Sequence, residues 1–196
     1  MGRIYYLMGK SSSGKDTIFR ELLNNNNLGL HTIVGYTTRP IREGEKEGVE
    51  YHFVSVEKMN KMKENGLIIE QRDYNTVHGV WSYFTAIDEQ VDLKKNNYIL
   101  IGTLEAYVKI KKFYGSENVE PVYIEIDDGE RLMRALKREM QQQEPKYEEM
   151  CRRFIADAKD FSEDKLQKCG IVKRYRNDDI KDCIQAIVKV IKEADN

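Results

Sequence analysis

The stretch that most constrains this chain is residues 9–17: Gly9, Lys10, Ser11, Ser12, Ser13, Gly14, Lys15, Asp16 and Thr17. An apolar run, Ile4, Tyr5, Tyr6, Leu7 and Met8, leads into it, and Ile18, Phe19, Leu22 and Leu23 follow at helical spacing. A buried strand, a glycine loop and a helix start in that order make a cradle for phosphate, because loop N–H groups and the helix dipole both favour an anion there. Gly9 and Gly14 let the backbone turn its N–H groups inward, where a side chain would block the anion. Lys15 falls at the helix start as a point charge for β- and γ-phosphates, and Thr17 offers a hydroxyl to the α-phosphate. The pattern usually has Ser or Thr after the lysine; here the residue is Asp16. A carboxylate is also a hard oxygen ligand, which makes Asp16 the candidate for Mg2+. Its plainer reading is a charge that suits the positive end of the helix.

A chain of 196 residues is expected to form one domain. With 40% apolar and 33% charged residues it can build a core and a well-solvated surface, and a net charge of −1 speaks against a general nucleic-acid or membrane binder. Cys151, Cys169 and Cys183 lack metal-ligand spacing and are expected to be reduced structural thiols. There is no signal-peptide core, no acylation signal and no run long enough to span a bilayer, so the cytoplasm is the expected compartment.

Beyond the loop, the spacing predicts a first helix ending near Leu23 and a polar surface turn over 24–27. Strands are expected over 30–36, 51–54 and from 67 to 70, with an extended segment over 78–86 and a charged loop over 37–48. Ser55 is placed to cap a helix over 56–65. Then come a helix over 87–96, a strand over 98–101, a helix over 104–113 and a strand over 121–126. A basic helix over 130–140 leads to a long helix running from beyond Pro145 to about 168. A last strand over 171–175 and an amphipathic helix to 193 close the chain. Strands separated by helices imply a parallel sheet covered on both faces, with the phosphate loop at the carboxyl ends of its strands. No internal repeat is visible.

Two further groups of residues carry chemistry. Arg39 and Arg42 lie three apart in a glycine-bearing loop, with Glu45 and Tyr51 close behind; arginines suit bidentate phosphate contacts and a tyrosine hydroxyl adds a neutral donor. A solvated charge run is the competing reading. Arg131, Arg134 and Arg138 fall on one helix face, while Leu132, Leu136 and Met140 mark another. That face either meets phosphate or is a solvated cationic stripe. Arg153 and Asp157 have the i, i+4 spacing of a helix pair worth ~0.3–0.5 kcal/mol.

Behind the phosphate loop, the segment Thr37, Thr38, Arg39, Pro40, Arg42, Gly44, Glu45, Gly48, Tyr51, Phe53 and Val54 closely resembles the GMP-binding segment of guanylate kinases. The resemblance extends over nearly the whole chain and takes in Glu70, Arg134, Arg138, Arg153 and the run Asn177, Asp178, Asp179. It implies an α/β P-loop NTPase three-layer sandwich with a central parallel sheet, a small mixed α/β NMP-binding insert and a helical lid. Residues 1–34, 86–126 and 160–196 would be core, 35–85 the insert and 127–159 the lid. It also implies ATP with Mg2+ as phosphoryl donor and GMP or dGMP as acceptor. Arg39, Arg42 and Tyr51, with Glu45 beside them, would hold the GMP phosphate, and Glu70 would accept from the guanine N1 and N2 edge. Lys15, Arg42, Arg134, Arg138 and Arg153 would serve the transferring phosphoryl group, and Asn177 would lie beside adenine. The acceptor is already an anionic oxygen, so alignment, charge neutralisation and exclusion of water suffice, and no general base is needed. No nucleic acid, membrane or obligate protein partner is implied.

The chain departs from the family at several places. Gly35 stands where a serine helps read guanine, and His78, Gly79, Val80 replace Tyr-Gly-Ser/Thr after a one-residue deletion. His78 is the expected phosphate donor there, with Tyr74 or Tyr83 as substitutes. The strand that usually reads Leu-Asp-x-Asp is Leu100, Ile101, Gly102, Thr103, so its carboxylates for magnesium and guanine are lost. Thr103 remains as a polar group of that edge, Asp16 stands in on the magnesium side, and Glu105 is a further guanine reader to weigh. Trp81, Tyr83 and Phe84 are expected either to stack on a base or simply to pack. The expected activity is phosphorylation of GMP to GDP. The alternatives are the same fold acting on another nucleotide or a sugar phosphate such as ribose 1,5-bisphosphate, or a non-catalytic interaction module of the same family.

Overall fold

A computed structural model describes residues 1–76 and 79–194 of the chain. Its centre is β1 (Ile4–Met8), buried along its whole length, as a strand flanked by partners and covered on both faces must be. The two faces of β1 go to different helices. Ile4, Tyr6 and Met8 pack with Leu104, Tyr107 and Ile110 of α3 (Leu104–Tyr114) and with Leu166 of α6 (Glu163–Lys168). Tyr5 and Leu7 pack with Ile18 and Leu22 of α1 (Lys15–Leu23) and with Cys183, Ile187 and Ile191 of α7 (Ile180–Ala194). The alternation of side chains along one strand thus builds three layers.

Around β1 stand β2 (Leu30–Thr32), β7 (Asn97–Ile101), β8 (Val119–Glu125) and β9 (Arg174–Arg176), in the order β2-β7-β1-β8-β9 with every pairing parallel. A second, mixed sheet has the order β4-β3-β6-β5 and comprises β3 (Tyr36–Thr37), β4 (His52–Phe53), β5 (Ile68–Thr76) and β6 (Gly79–Ala86). Met59 of α2 (Val56–Glu64) packs under it against Phe84 and Ala86. Ser55 caps α2 by accepting from the Lys58 N–H at 3.2 Å, as its position predicts. Helices α4 (Asp128–Met140) and α5 (Tyr147–Asp160) pack on each other beside the phosphate loop.

Four expectations about elements are corrected. The strand expected over 30–36 is two strands in different sheets, because the chain leaves the first sheet after Thr32 and Val34 pairs instead with the Gln90 side chain through both its N–H (2.9 Å) and its carbonyl (3.2 Å). The helix expected over 87–96 does not form. Side chains take the backbone donors that a helix would use: the Gln90 and Lys94 N–H groups donate to Asp88 and Asp92 carboxylates, and the Asp92 N–H donates to the Tyr98 hydroxyl. The long helix breaks at Phe161, which turns into the core against the Tyr123 ring at 5.7 Å, and Ser162 starts α6. The last strand begins at Arg174 rather than 171, since Ile171 is spent on the core and Val172 on solvent. Among the described residues no helix is long and apolar enough to cross a membrane.

Candidate functional site

Met8 ends β1 at the carboxyl edge of the first sheet, and the chain turns at once. A Cβ on Gly9 would lie 2.6 Å from the Ile124 carbonyl oxygen, and one on Gly14 (φ 88°) would lie 2.2 Å from Asn177 Nδ2. Asn177 donates from that nitrogen to the Ser13 carbonyl at 2.7 Å, which clamps the loop from the β9 side. Ser12 sits at φ 63°, a left-handed conformation that costs a non-glycine residue about 1–2 kcal/mol. The Ser12 and Ser13 hydroxyls and Asn177 Oδ1 are buried without a protein partner. Orphaned polar atoms are unusual in native structures. Collected around a glycine loop and a helix N-terminus, the two hydroxyls are donors that fit a polyphosphate, whereas the Asn177 oxygen can only accept. Lys15 opens α1, its Nζ 3.8 Å from an Asp16 carboxylate that reaches into solvent. Among the described residues no group of three or more His, Cys, Asp or Glu is arranged around a metal position. Magnesium commonly uses one or two carboxylates plus substrate phosphates, a set that Asp16 and a bound nucleotide would fit.

The other side of the loop is held by a charged network. Asp157 of α5 accepts the Ser11 N–H at 2.7 Å and pairs with Arg131 Nη1 at 3.1 Å. Arg131 also donates from Nε to Asp128 at 3.0 Å, stacks over the Phe154 ring at 3.9 Å, and is 1% exposed. Lys10 Nζ donates to both Asp128 oxygens. Burial opposes ionisation of Asp128, but Lys10 and Arg131 hold its carboxyl below the ordinary range. The cationic face expected of Arg131, Arg134 and Arg138 is therefore not uniform: Arg131 is interior, Arg134 half-buried and Arg138 exposed. Leu132 and Met140, expected on an apolar face, are exposed. Arg134 Nη2 donates to the Asn177 carbonyl at 3.2 Å, and Arg153 Nη2 donates to Ser11 Oγ at 3.4 Å. Asp157 thus serves Arg131 and the loop rather than a surface pair with Arg153.

The second sheet carries the other group. Arg39 follows β3, is 4% exposed, and binds Glu45 bidentately at 2.7 and 2.6 Å. Its guanidinium lies 5.3 Å from the ring centres of Tyr51 and Phe53, and its Nε is buried without a partner. Glu45 also accepts the Arg42 N–H at 2.8 Å, while the Arg42 side chain is exposed. Hydrogen bonds from Arg39 hold the Glu45 carboxyl down to about 2, against the opposing effect of burial. Burial pushes the Tyr51 hydroxyl up. In β5, Glu70 is buried and accepts from Thr85 Oγ1 at 2.9 Å and from Arg72 Nε at 3.1 Å. Thr103 spends its hydroxyl capping α3 at Ala106 N, and its carbonyl accepts from the Tyr6 hydroxyl at 3.2 Å. Glu105 is turned to the surface, where it pairs with Lys109. Tyr83 and Tyr74 meet edge to face at 5.5 Å, and Tyr83 meets Tyr51 likewise. Phe84 is a packed core residue. His78 lies outside the described residues.

Sequence reasoning did not single out Arg72, Thr85, Tyr6 or Asp128. For Arg72 the signal was present: it stands two residues from Glu70 in an extended segment, so both point to one face. For Asp128 the signal was its i, i+3 spacing to Arg131, and for Thr85 and Tyr6 no local signal existed.

A parallel sheet with a glycine loop between its first strand and helix, and arginines from two other helices against that loop, defines a P-loop nucleotide-binding protein. The guanylate kinase family model matches residues 1–194. A guanylate kinase of Malacoplasma penetrans is 32% identical over 139 residues, 69% of this chain and 68% of that one. One of Neisseria gonorrhoeae is 43% identical over 72 residues, 37% of this chain and 35% of its own length. The crystal structure of guanylate kinase from Anaplasma phagocytophilum superposes with a TM-score of 0.67 at 22% identity, covering 98% of this chain and 86% of that one, a likeness of fold. This chain belongs to the guanylate kinase family.

Proposed function

We propose that the chain phosphorylates GMP to GDP with ATP and Mg2+, as a cytoplasmic enzyme of small-molecule substrates. Residues 1–34, 86–126 and 160–196 act as the core, 35–85 as the acceptor-binding part and 127–159 as the lid. The observation that carries this reading is the meeting of Arg134 and Arg153, from separate helices, on the two flanks of the phosphate loop. Phosphoryl transfer to an anionic oxygen asks for such converging cations and for little else.

The loop N–H groups, Lys15, Thr17 and the Ser12 and Ser13 hydroxyls hold the ATP phosphates, and Asn177 lies beside the adenine. Arg39 Nε, Arg42 and Tyr51 receive the acceptor phosphate, with Glu45 fixing the Arg39 plane. Glu70 faces the base. Arg134, Arg138 and Arg153 neutralise the phosphoryl group in flight and close it from water. Asp16 holds Mg2+, which when bound neutralises phosphate charge. The test is ADP release from ATP–Mg2+ against GMP, dGMP, AMP, IMP, UMP, CMP and ribose 1,5-bisphosphate. Turnover strongly favouring GMP is expected. Turnover with another acceptor keeps the kinase and rejects the guanine site; ATP binding with no turnover on any acceptor rejects the enzyme.

A further inference from the structure

The acceptor corner contains a cation that the family resemblance does not account for. Along β5, Glu70, Arg72 and Tyr74 point to one face, where they stand opposite Thr85, Tyr83 and Trp81 of β6. Arg72 grips Glu70 through Nε on Oε2 (3.1 Å) and Nη2 on Oε1 (3.4 Å), and Thr85 takes Oε1 as well. The Glu70 side chain is left 1% exposed and that of Arg72 23%. The open edge of the pair is therefore the guanidinium. Five N–H donors belong to an arginine, and among the described residues Glu70 is the only hydrogen-bond partner of this one.

The surroundings have moved the same way. A Cβ on Gly102 would lie 2.1 Å from the Tyr6 hydroxyl, so Tyr6 fills this end of β7, and its proton goes to the Thr103 carbonyl. Tyr6 lies close enough to feel both charges of the Glu70–Arg72 pair. Ile101, Gly102 and Thr103 bring no carboxylate, and Gly35, where a Cβ would lie 3.8 Å from the Tyr51 ring, brings no hydroxyl. The corner has thus lost acceptors and a neutral donor and gained an arginine. Guanine presents O6 and N7 as adjacent acceptors, and arginine pairs with them bidentately. Adenine puts an amino group in place of O6, where it meets donors with a donor.

We infer that Arg72 is a specificity residue of this site, donating to O6 and N7 of the acceptor base beyond its grip on Glu70. This rests on the acceptor being a guanine nucleotide. A residue that only held Glu70 would act through the N1 and N2 contacts, of which IMP keeps only N1, and its loss would cost GMP more than IMP, whereas a reader of O6 and N7 serves GMP and IMP alike.

The experiment measures kcat/KM of the wild type, Arg72→Met and Arg72→Lys for GMP, IMP and AMP. Arg72→Lys keeps a cation beside Glu70 and so tests the point even if Arg72→Met unfolds over a bared carboxylate. Both variants are expected to lose about 10–100-fold for GMP and by the same factor for IMP. The GMP:IMP ratio then stays unchanged and the preference for GMP over AMP falls. A loss markedly larger for GMP than for IMP, or Arg72→Lys at wild-type activity, overturns the inference and leaves Arg72 a support for Glu70. A wild type that turns over AMP as well as or better than GMP and IMP overturns it together with the guanine reading.

Discussion

The Asp157 carboxylate lies 2.7 Å from the Ser11 amide, an acidic group set against the loop that receives a polyanion. It is balanced by Arg131, 3.1 Å away and sealed from solvent by the Phe154 ring. Asp157→Ala is expected to cost ~1.5–3 kcal/mol in urea unfolding, because Arg131 Nη1 stays buried with its charged hydrogen bond unmade while Asp128 remains on Nε. Arg131→Met with Asp157→Leu is expected to lie well above Asp157→Ala in stability, so the cycle should show strong coupling.

Arg153 reaches Ser11 Oγ from an exposed position on α5. Arg153→Ala is expected to leave the melting temperature within about a degree or two, since exposed changes seldom exceed ~0.5 kcal/mol. The rate is expected to fall ~10³-fold or more, the scale of a lost transition-state arginine. Steady-state kinetics beside a thermal melt separates the two effects.

The Arg39–Glu45 pair sets a pH dependence. Its fork lowers the Glu45 carboxyl from the ordinary ~4.3 to about 2 in the folded chain. A folded-state pKa below the unfolded one means that the unfolded chain binds the proton more readily. The pair's stabilisation is therefore complete above the ordinary range and is lost as pH falls from there through about 2. Carboxyl NMR titration of Glu45 is expected to show that low value, and Glu45→Gln to remove this part of the acid dependence.

Asp16 stands next to Lys15, whose Nζ is 3.8 Å away, with its carboxylate exposed to solvent. Asp16→Ala is expected to raise the Mg2+ concentration for half-maximal rate sharply, with ATP held saturating. An unchanged requirement would show that magnesium is held by the phosphates and other groups.

Gly14 has neither room nor backbone freedom for a side chain. Gly14→Ala is expected to displace the Asn177 amide from the Ser13 carbonyl and to weaken ATP binding, read by loss of the thermal shift that ATP–Mg2+ gives the wild type.

The phosphate loop, β1, α1, α3, α4 and the parallel sheet were legible in the sequence because each is written locally: an apolar run, a glycine spacing, a helical period, a cap such as Ser55. The 37–48 segment was legible as a charged, glycine-bearing loop, but that Arg39 spends its fork on Glu45 was not. The composition of 87–96 suits a helix, but the Asp88 and Asp92 carboxylates within it and the Tyr98 hydroxyl beyond it take its backbone hydrogen bonds. Arg131 looked like one of three equivalent surface arginines. Its interior place comes from Asp157, 26 residues on in another helix, and no period along the chain encodes such a pairing. Arg72 lay between these cases, because strand alternation put it beside Glu70, yet only packing shows that it covers the carboxylate. The sequence by itself determined which backbone turns to make and which faces to bury, since these follow from φ/ψ freedom and apolar spacing. Which charges meet, which are sealed and which remain open to a substrate was decided by the tertiary structure, because electrostatic partners are chosen by distance in space.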